Sequence, residues 1–216
     1  MDILNFSGMY DEYDLSLFRE HRMIHLKGIG GTKLYIDEEG EKEIIKKIKG
    51  SDSRVHLIDI GDYHYVTRLY LYEIKEPFDL LVFDNHDDCK EPEFEGIRSC
   101  GSWIKDAMED MPETLASVKL IKGDEDIRYL KGEFDRERPL YISVDKDVLS
   151  EELCPTNWDQ GEMTVEELTR HIRSESEGRR ILGLDICGGP APGTALNIED
   201  IIKNQSVDMA IIALLC

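Results

Sequence analysis

Two short stretches place ligand-type side chains at every second position: Asp84-x-His86-x-Asp88 and Asp145-x-Asp147. At the end of an extended segment, alternate side chains point the same way, so each set can converge on one point. Four carboxylates in one crevice repel one another unless they are protonated or bound to cations. Two divalent ions would balance the charges of Asp84, Asp88, Asp145 and Asp147, with His64 and His86 adding neutral nitrogen donors. A donor set rich in oxygen, with two imidazoles and no thiolate, suits manganese better than structural zinc. An Asp after a buried strand also caps turns, so either motif alone has a purely structural reading. The motifs together, in this order, point to a metal centre.

The elements that must position these residues are legible as alternating apolar runs and helix-like segments. That alternation predicts an α/β protein with a mainly parallel sheet. Strands are expected at Val55–Ile60, Leu80–Phe83, Val118–Ile121, Leu140–Val144 and Ile181–Ile186, with weaker candidates at Met23–Leu26 and Lys33–Ile36. Their aliphatic, β-branched content with little polar alternation predicts burial on both faces. His64 follows the first of these strands, Asp84 the second and Asp145 the fourth, while Asp185 lies near the end of the last. Ligands bind at the carboxyl ends of strands in open parallel sheets. Helices are expected over Glu41–Lys49, Ser102–Met108 and Ile198–Ile202, and one starts near the capping-box pair Thr164 and Glu167. Gly188 to Gly193 reads as a loop after a strand.

Composition excludes several partners. The 216 residues carry 26 Lys+Arg against 46 Asp+Glu, a formal charge of −20. Such an acidic chain repels nucleic acid and an anionic membrane leaflet, so neither is expected as a partner. The longest late apolar run, Met209 to Cys216, is too short to span a bilayer. Five cysteines without a CxxC pair, and no basic leader ahead of an apolar run, fit a cytoplasmic protein. The length fits a single domain over residues 1–216.

The motif series resembles the arginase/agmatinase (ureohydrolase) superfamily, as a short divergent member. The matching residues are Gly61-Asp62-Tyr63-His64, Asp84–Asp88, Ser143-x-Asp145-x-Asp147 and Gly183-Leu184-Asp185-Ile186. The resemblance implies a three-layer α/β/α sandwich and two divalent metal ions, with manganese the expected metal. One ion would be held by His64, Asp84, Asp88 and Asp145, the other by Asp84, His86, Asp145 and Asp147. A hydroxide between them would attack an amidine, guanidine or amide carbon, since a bound metal lowers the pKa of water from about 15.7 towards neutrality. Asp88 would be the catalytic residue, passing a proton to the departing nitrogen. A small-molecule substrate is implied, and so is a homo-oligomer, because such proteins often form trimers or hexamers.

The departures from the family pattern carry information too. Tyr63 separates Asp62 from His64, Ser150 stands where an Asp is usual, and Gly188 falls at the place of a guanidinium-binding Glu. Cys100 aligns with a proton-shuttling His, which makes Cys100 and Gly188 the candidate substrate-binding positions. Without that Glu a guanidinium loses charge-assisted, bidentate hydrogen bonds, which argues against classical arginase or agmatinase activity. Glu91, Glu93 and Glu95 would line the entrance or form a solvated acidic loop, and Trp103 would belong to the pocket wall or to the core. Two other functions fit parts of the pattern. A non-catalytic metal-binding scaffold would explain Gly188. A metallophosphoesterase would explain Gly61-Asp62 and Asn85-His86-Asp87, but its D-x-H and G-H-x-H elements are missing.

Overall fold

The computed structural model of the chain describes residues 1–91, 96–190 and 197–215. Its centre is an eight-stranded sheet made from β1 (Asp2–Asn5), β2 (Arg22–His25), β4 (Val55–Ile58), β5 (Phe78–Phe83), β7 (Leu115–Gly123), β8 (Asp126–Lys131), β9 (Leu140–Asp145) and β10 (Ile181–Cys187). The spatial order is β2-β1-β4-β10-β9-β5-β7-β8, and every pairing is parallel except β7 with β8. A separate antiparallel pair joins β3 (Tyr35–Ile36) to β6 (Arg98–Ser99). Helices α1 (Glu38–Ile48), α2 (Thr67–Leu71), α3 (Trp103–Asp110), α4 (Val165–Ser176) and α5 (Ile198–Ile212) complete a three-layer α/β/α sandwich. None of the described helices is long and apolar enough to cross a membrane.

The central strands are the apolar runs of the sequence. All six residues of β5 and all six of β9 are buried, as two covered faces require. Adjacent β5 and β9 pair Val82 with Ser143 and Phe83 with Val144. This register brings Asp84 alongside Asp145, one strand spacing of about 4.8 Å away.

Helix starts follow their caps. The capping box is formed, with Glu167 N donating to Thr164 Oγ1 and Thr164 N donating to Glu167 Oε2. Helix α1 begins three residues ahead of the expected start because Asp37 caps it, accepting from Gly40 N at 2.8 Å.

Elsewhere the boundaries moved for physical reasons. The strand expected to reach Ile60 stops at Ile58, because Asp59 turns to φ 26°. There its carboxylate gathers the amides of Phe6, Ser7 and Ile60, tying the end of β4 to the segment after β1. Strand β1 was hidden by Asp2 and Asn5, which are buried but partnered, Asp2 by Arg22 and Asn5 by Asp11. Helix α5 runs ten residues beyond its expected end. It buries Asn204, Gln205 and Asp208 as well as Ile201, Val207 and Ile211, so its covered face lacks an apolar period.

Candidate metal centre

His64, Asp84, His86, Asp88, Asp145 and Asp147 all meet at the carboxyl ends of β4, β5 and β9. Each arrives by a local device. A 3-10 helix over Gly61–Val66 carries His64 inward. The inserted Tyr63 faces the other way and stacks on Phe6, centroids 4.2 Å apart. A Cβ at Gly61 would lie 2.7 Å from Trp158 Cδ1 and 3.1 Å from Asp145 Oδ2, so a larger residue there must push the Trp158 ring aside.

Asp84 and Asp145 each accept a hydrogen bond from the amide two residues on, His86 N at 2.6 Å and Asp147 N at 3.0 Å. These are Asx-type turns. The turn-capping and metal-ligand readings of these aspartates therefore coexist in the same side chains. The convergence of Asp84, His86 and Asp88 comes from this bent loop and from Asp88 at φ 42°, not from a continued strand. The Asp145-Lys146-Asp147 segment is bent as well, since β9 ends at Asp145 and a 3-10 turn covers Lys146–Val148. Lys146 points away from the centre into a buried ion pair with Asp208 of α5, Nζ to Oδ1 2.7 Å.

Two groups of three side chains have donor atoms close enough to share an ion: His64, Asp84 and Asp88, and Asp84, His86 and Asp147. They share Asp84. Asp145 belongs to neither group in this geometry, although its Oδ2 stands 3.5 Å from His64 Nδ1. His64 Nε2 lies 2.9 Å from Ser143 Oγ. Donation of Nε2–H to that hydroxyl leaves the Nδ1 lone pair facing Asp84 Oδ2 at 3.2 Å and Asp88 Oδ2 at 3.5 Å. His64 Nδ1 and Asp84 Oδ2 are buried without a well-oriented hydrogen-bond partner. Two orphaned acceptors facing each other are what a cation between them would satisfy. The donor set therefore fits divalent ions.

The electrostatics agree. Burial, then the charge of Asp84, pushes the Asp88 carboxyl up to about 7. Burial and Asp84 likewise raise Asp147 to about 6, and burial and Asp147 hold Asp145 well above the usual carboxylate range. Burial also acts on Asp84, but hydrogen bonds from His64 and His86 outweigh it and bring that group to about 2. His86, bonded to Asp147 and Asp84, rises to about 10. His64 is raised too, its burial outweighed by Asp84 and Asp88. Protons thus stand where cations would stand, which is how crowded carboxylates avoid mutual repulsion.

A cavity of about 60 Å³ opens on this cluster, rimmed by Lys90, Cys100, Gly101 and Trp158. Cys100 is on the rim as a thiol: burial and the charge of Asp88 push it up to about 12. Gly188 is not on the rim. It sits behind Asp145 at φ 94°, where a Cβ would lie 2.6 Å from Asp145 Oδ1, so no larger residue fits without displacing that carboxylate. Asp185 is drawn to a different cluster, bonded to His56 Nδ1 and Tyr141 OH at 2.7 Å each. Glu91 pairs with Lys105 rather than lining the entrance. Glu93, Glu95 and Ala191 to Leu196 lie outside the described residues.

Trp103, expected in the pocket wall or the core, has a place in both, and two further residues near the site, Trp158 and Lys90, gave no signal of their own in the sequence. Trp103 is fully buried, and its Nε1 donates to Asp88 Oδ2 at 2.9 Å, so it serves the core and the centre at once. Trp158 comes from the loop after β9, where its Nε1 donates to Asp62 Oδ1 at 3.0 Å and its ring meets His86 edge-on. Lys90 lies two residues past Asp88, and a cation beside a cluster of acids reads as surface charge.

No protein-family profile matches the chain. An uncharacterised protein of Thermotoga maritima is 32% identical over 99% of this chain and 88% of its own length. Among solved structures, a hypothetical agmatinase from Burkholderia thailandensis superposes with a TM-score of 0.60 at 20% identity. That match covers 82% of this chain, which spans only 64% of the agmatinase. A Trypanosoma cruzi formiminoglutamase variant with Mn2+ superposes at a TM-score of 0.64 and 9% identity, covering 99% of this chain and 92% of that one. The chain thus has the fold of arginase- and agmatinase-type enzymes, and it belongs to one family with the Thermotoga maritima protein.

Proposed function

We propose that the protein is a binuclear-metal hydrolase that cleaves a C–N bond other than a peptide bond in a small molecule. The observation that carries this reading is the pair of three-residue groups sharing Asp84 at the strand carboxyl ends of an arginase-type sheet. His64, Asp84 and Asp88 would hold one ion, and Asp84, His86 and Asp147 the other, with Asp145 at the edge of the first. Bound there, two divalent cations would acidify a water and polarise the scissile group. The oxygen-rich donor set, and the Mn2+ in the trypanosomal structure, favour manganese.

The chain's own residues supply positioning and the proton. Trp103 fixes Asp88 through Oδ2, leaving Oδ1 free to take a proton from water and return it to the departing nitrogen. Oxygen from water bonds to the carbon, the C–N bond breaks, and the amine leaves with that proton. Ser143 holds the ring of His64, and Trp158 narrows access to the cavity. The setting we propose is the cytosol, supported by four described cysteines that are free thiols. Self-association belongs to the same reading, since Ile198, Ile202 and Met209 leave an exposed apolar stripe along α5.

Elemental analysis after manganese loading tests the centre. About two ions per chain are expected, both lost in Asp84→Asn and one retained in His86→Ala. Release of ammonia or amine from amides, ureides and amidines then tests hydrolysis. Two bound ions with no release from any of these would favour a non-catalytic scaffold.

A further inference from the structure

Apart from the clustered Asp and His groups, the described lining of the 60 Å³ cavity carries one charged side chain, the ammonium of Lys90. Cys100, Gly101 and Trp158 complete the rim, and the thiol is neutral. The neighbouring cations are engaged elsewhere. Lys105 pairs with Glu91, Lys122 with Asp87 and the Asn85 carbonyl, and Lys33 approaches Asp62 at 3.8 Å. Lys90 has no ion-pair partner among the described residues. Its backbone is held, N donating to Gly101 O at 3.0 Å, so the side chain starts from a fixed point at the mouth.

The acids near the mouth are committed in the opposite sense. Asp84, Asp88 and Asp147 belong to the two candidate ion groups, and Asp62 accepts from Asn157 Nδ2 and Trp158 Nε1. No further carboxylate can be added behind Asp145, because Gly188 leaves no room for a Cβ. A cationic substrate group entering this cavity meets, among the described residues, no carboxylate outside the Asp/His cluster and one ammonium. An anionic group meets that ammonium and, among the described lining residues, no carboxylate outside the Asp/His cluster, whose Asp145 is kept beside His64 at 3.5 Å. With two divalent ions balancing the cluster, Lys90 leaves the mouth net positive inside an otherwise acidic protein.

The cavity also limits size. At 10–15 Å³ per water, 60 Å³ holds on the order of four to six waters, enough for a formyl, acetyl or carbamoyl group and little more. We infer that the substrate is a small N-acyl or N-carbamoyl acid, with an uncharged scissile amide inside the cavity and a carboxylate a few bonds away bound by Lys90. The inference rests on the metallohydrolase reading for the chemistry, but the anion recognition stands on the rim alone. For the simplest such substrate, N-formylglycine, water adds to the formyl carbon, the C–N bond breaks, and formate and glycine leave.

Binding and turnover are measured separately on protein whose manganese content has been verified. Calorimetry compares N-formylglycine, N-methylformamide and methylguanidine on the wild type, Lys90→Gln and Lys90→Glu. The wild type is expected to bind the formyl acid about tenfold more tightly than its uncharged counterpart, as a partly exposed ion pair gives. Lys90→Gln should erase the preference and Lys90→Glu reverse it, with metal content unchanged in both. Failure of the formyl acid to bind, a preference that survives Lys90→Gln, or tighter binding of methylguanidine would overturn the inference. Lys90-dependent binding without formate release would count against the hydrolase reading alone. Turnover favouring methylguanidine would sink the anion proposal and leave that reading intact.

Discussion

Replacing Asp88 by Asn separates a metal-holding carboxylate from a structural one. In the metal-free protein the rise of the Asp88 carboxyl from 3.8 to about 7 corresponds to about 4 kcal/mol against the ionised form, at 1.36 kcal/mol per pH unit. At pH 8 that carboxyl is mostly ionised in the folded chain, so the neutral amide should recover up to about 4 kcal/mol. Asn also retains an oxygen to accept from Trp103 Nε1. Without metal, Asp88→Asn is therefore expected to melt at or above the wild type. With manganese at a hundredfold its dissociation constant, each wild-type site gains about 2.7 kcal/mol, or roughly 5–11 °C for a chain of this size. The variant should lose most of that gain at the site Asp88 serves. Scanning calorimetry at pH 8, in chelator and in manganese, reads both effects. Asp79→Asn is the contrast, because Asp79 is buried between Arg138 and Arg179 at 2.7 Å each. Breaking such a buried pair costs about 3–5 kcal/mol with or without metal. A metal-free Asp88→Asn that melts well below the wild type would refute the argument, as would a wild type indifferent to manganese.

The same titrations fix the pH dependence. Raised carboxyls, Asp147 at about 6 and Asp88 at about 7, give stability that is present below 3.8 and lost as pH climbs through those values. His86 adds stability that is complete below 6.5 and lost as pH rises through about 10. The metal-free protein should therefore melt progressively lower from about pH 4 upwards, while Asp84, lowered to about 2, acts in the opposite sense only below 3.8. Manganese must displace these protons, so binding should tighten with pH and release more than two protons at pH 7, from His64 and His86 and from the raised Asp88 and Asp145 carboxyls. Calorimetry in buffers of different ionisation enthalpy measures that release, and its absence would contradict the protonated cluster. Gly188→Ala should cost about 1–3 kcal/mol and weaken metal binding, because its Cβ meets Asp145 Oδ1 at 2.6 Å on a backbone at φ 94°. Unchanged melting and unchanged metal content in that variant would show that Asp145 can yield.

The order of ligand-type residues, the strands that carry them and the α/β class were all legible because each is local. Buried parallel strands are continuous apolar runs, a capping box has fixed spacing, and Asp or His side chains at a strand end are visible one motif at a time. The sequence also carried the excess acid at Asp84, Asp88, Asp145 and Asp147, which only cations or protons can balance. Their partners were not legible, because these come from distant parts of the chain. The register of β5 on β9 sets Asp84 beside Asp145, and a fully buried Trp103 fixes Asp88. The split into two groups sharing Asp84, with Asp145 at the edge, depends on Asx turns that bend the loops away from extended geometry. Elements held by polar pairs, β1 through the half-exposed Asp2–Arg22 pair and α5 through the buried Lys146–Asp208 pair, lack apolar periodicity and so gave no pattern to read. Gly188 shows the division most plainly. Its lack of a side chain was visible in the sequence, whereas the reason no side chain fits, a carboxylate 2.6 Å from its missing Cβ, exists only once β9 and β10 lie side by side.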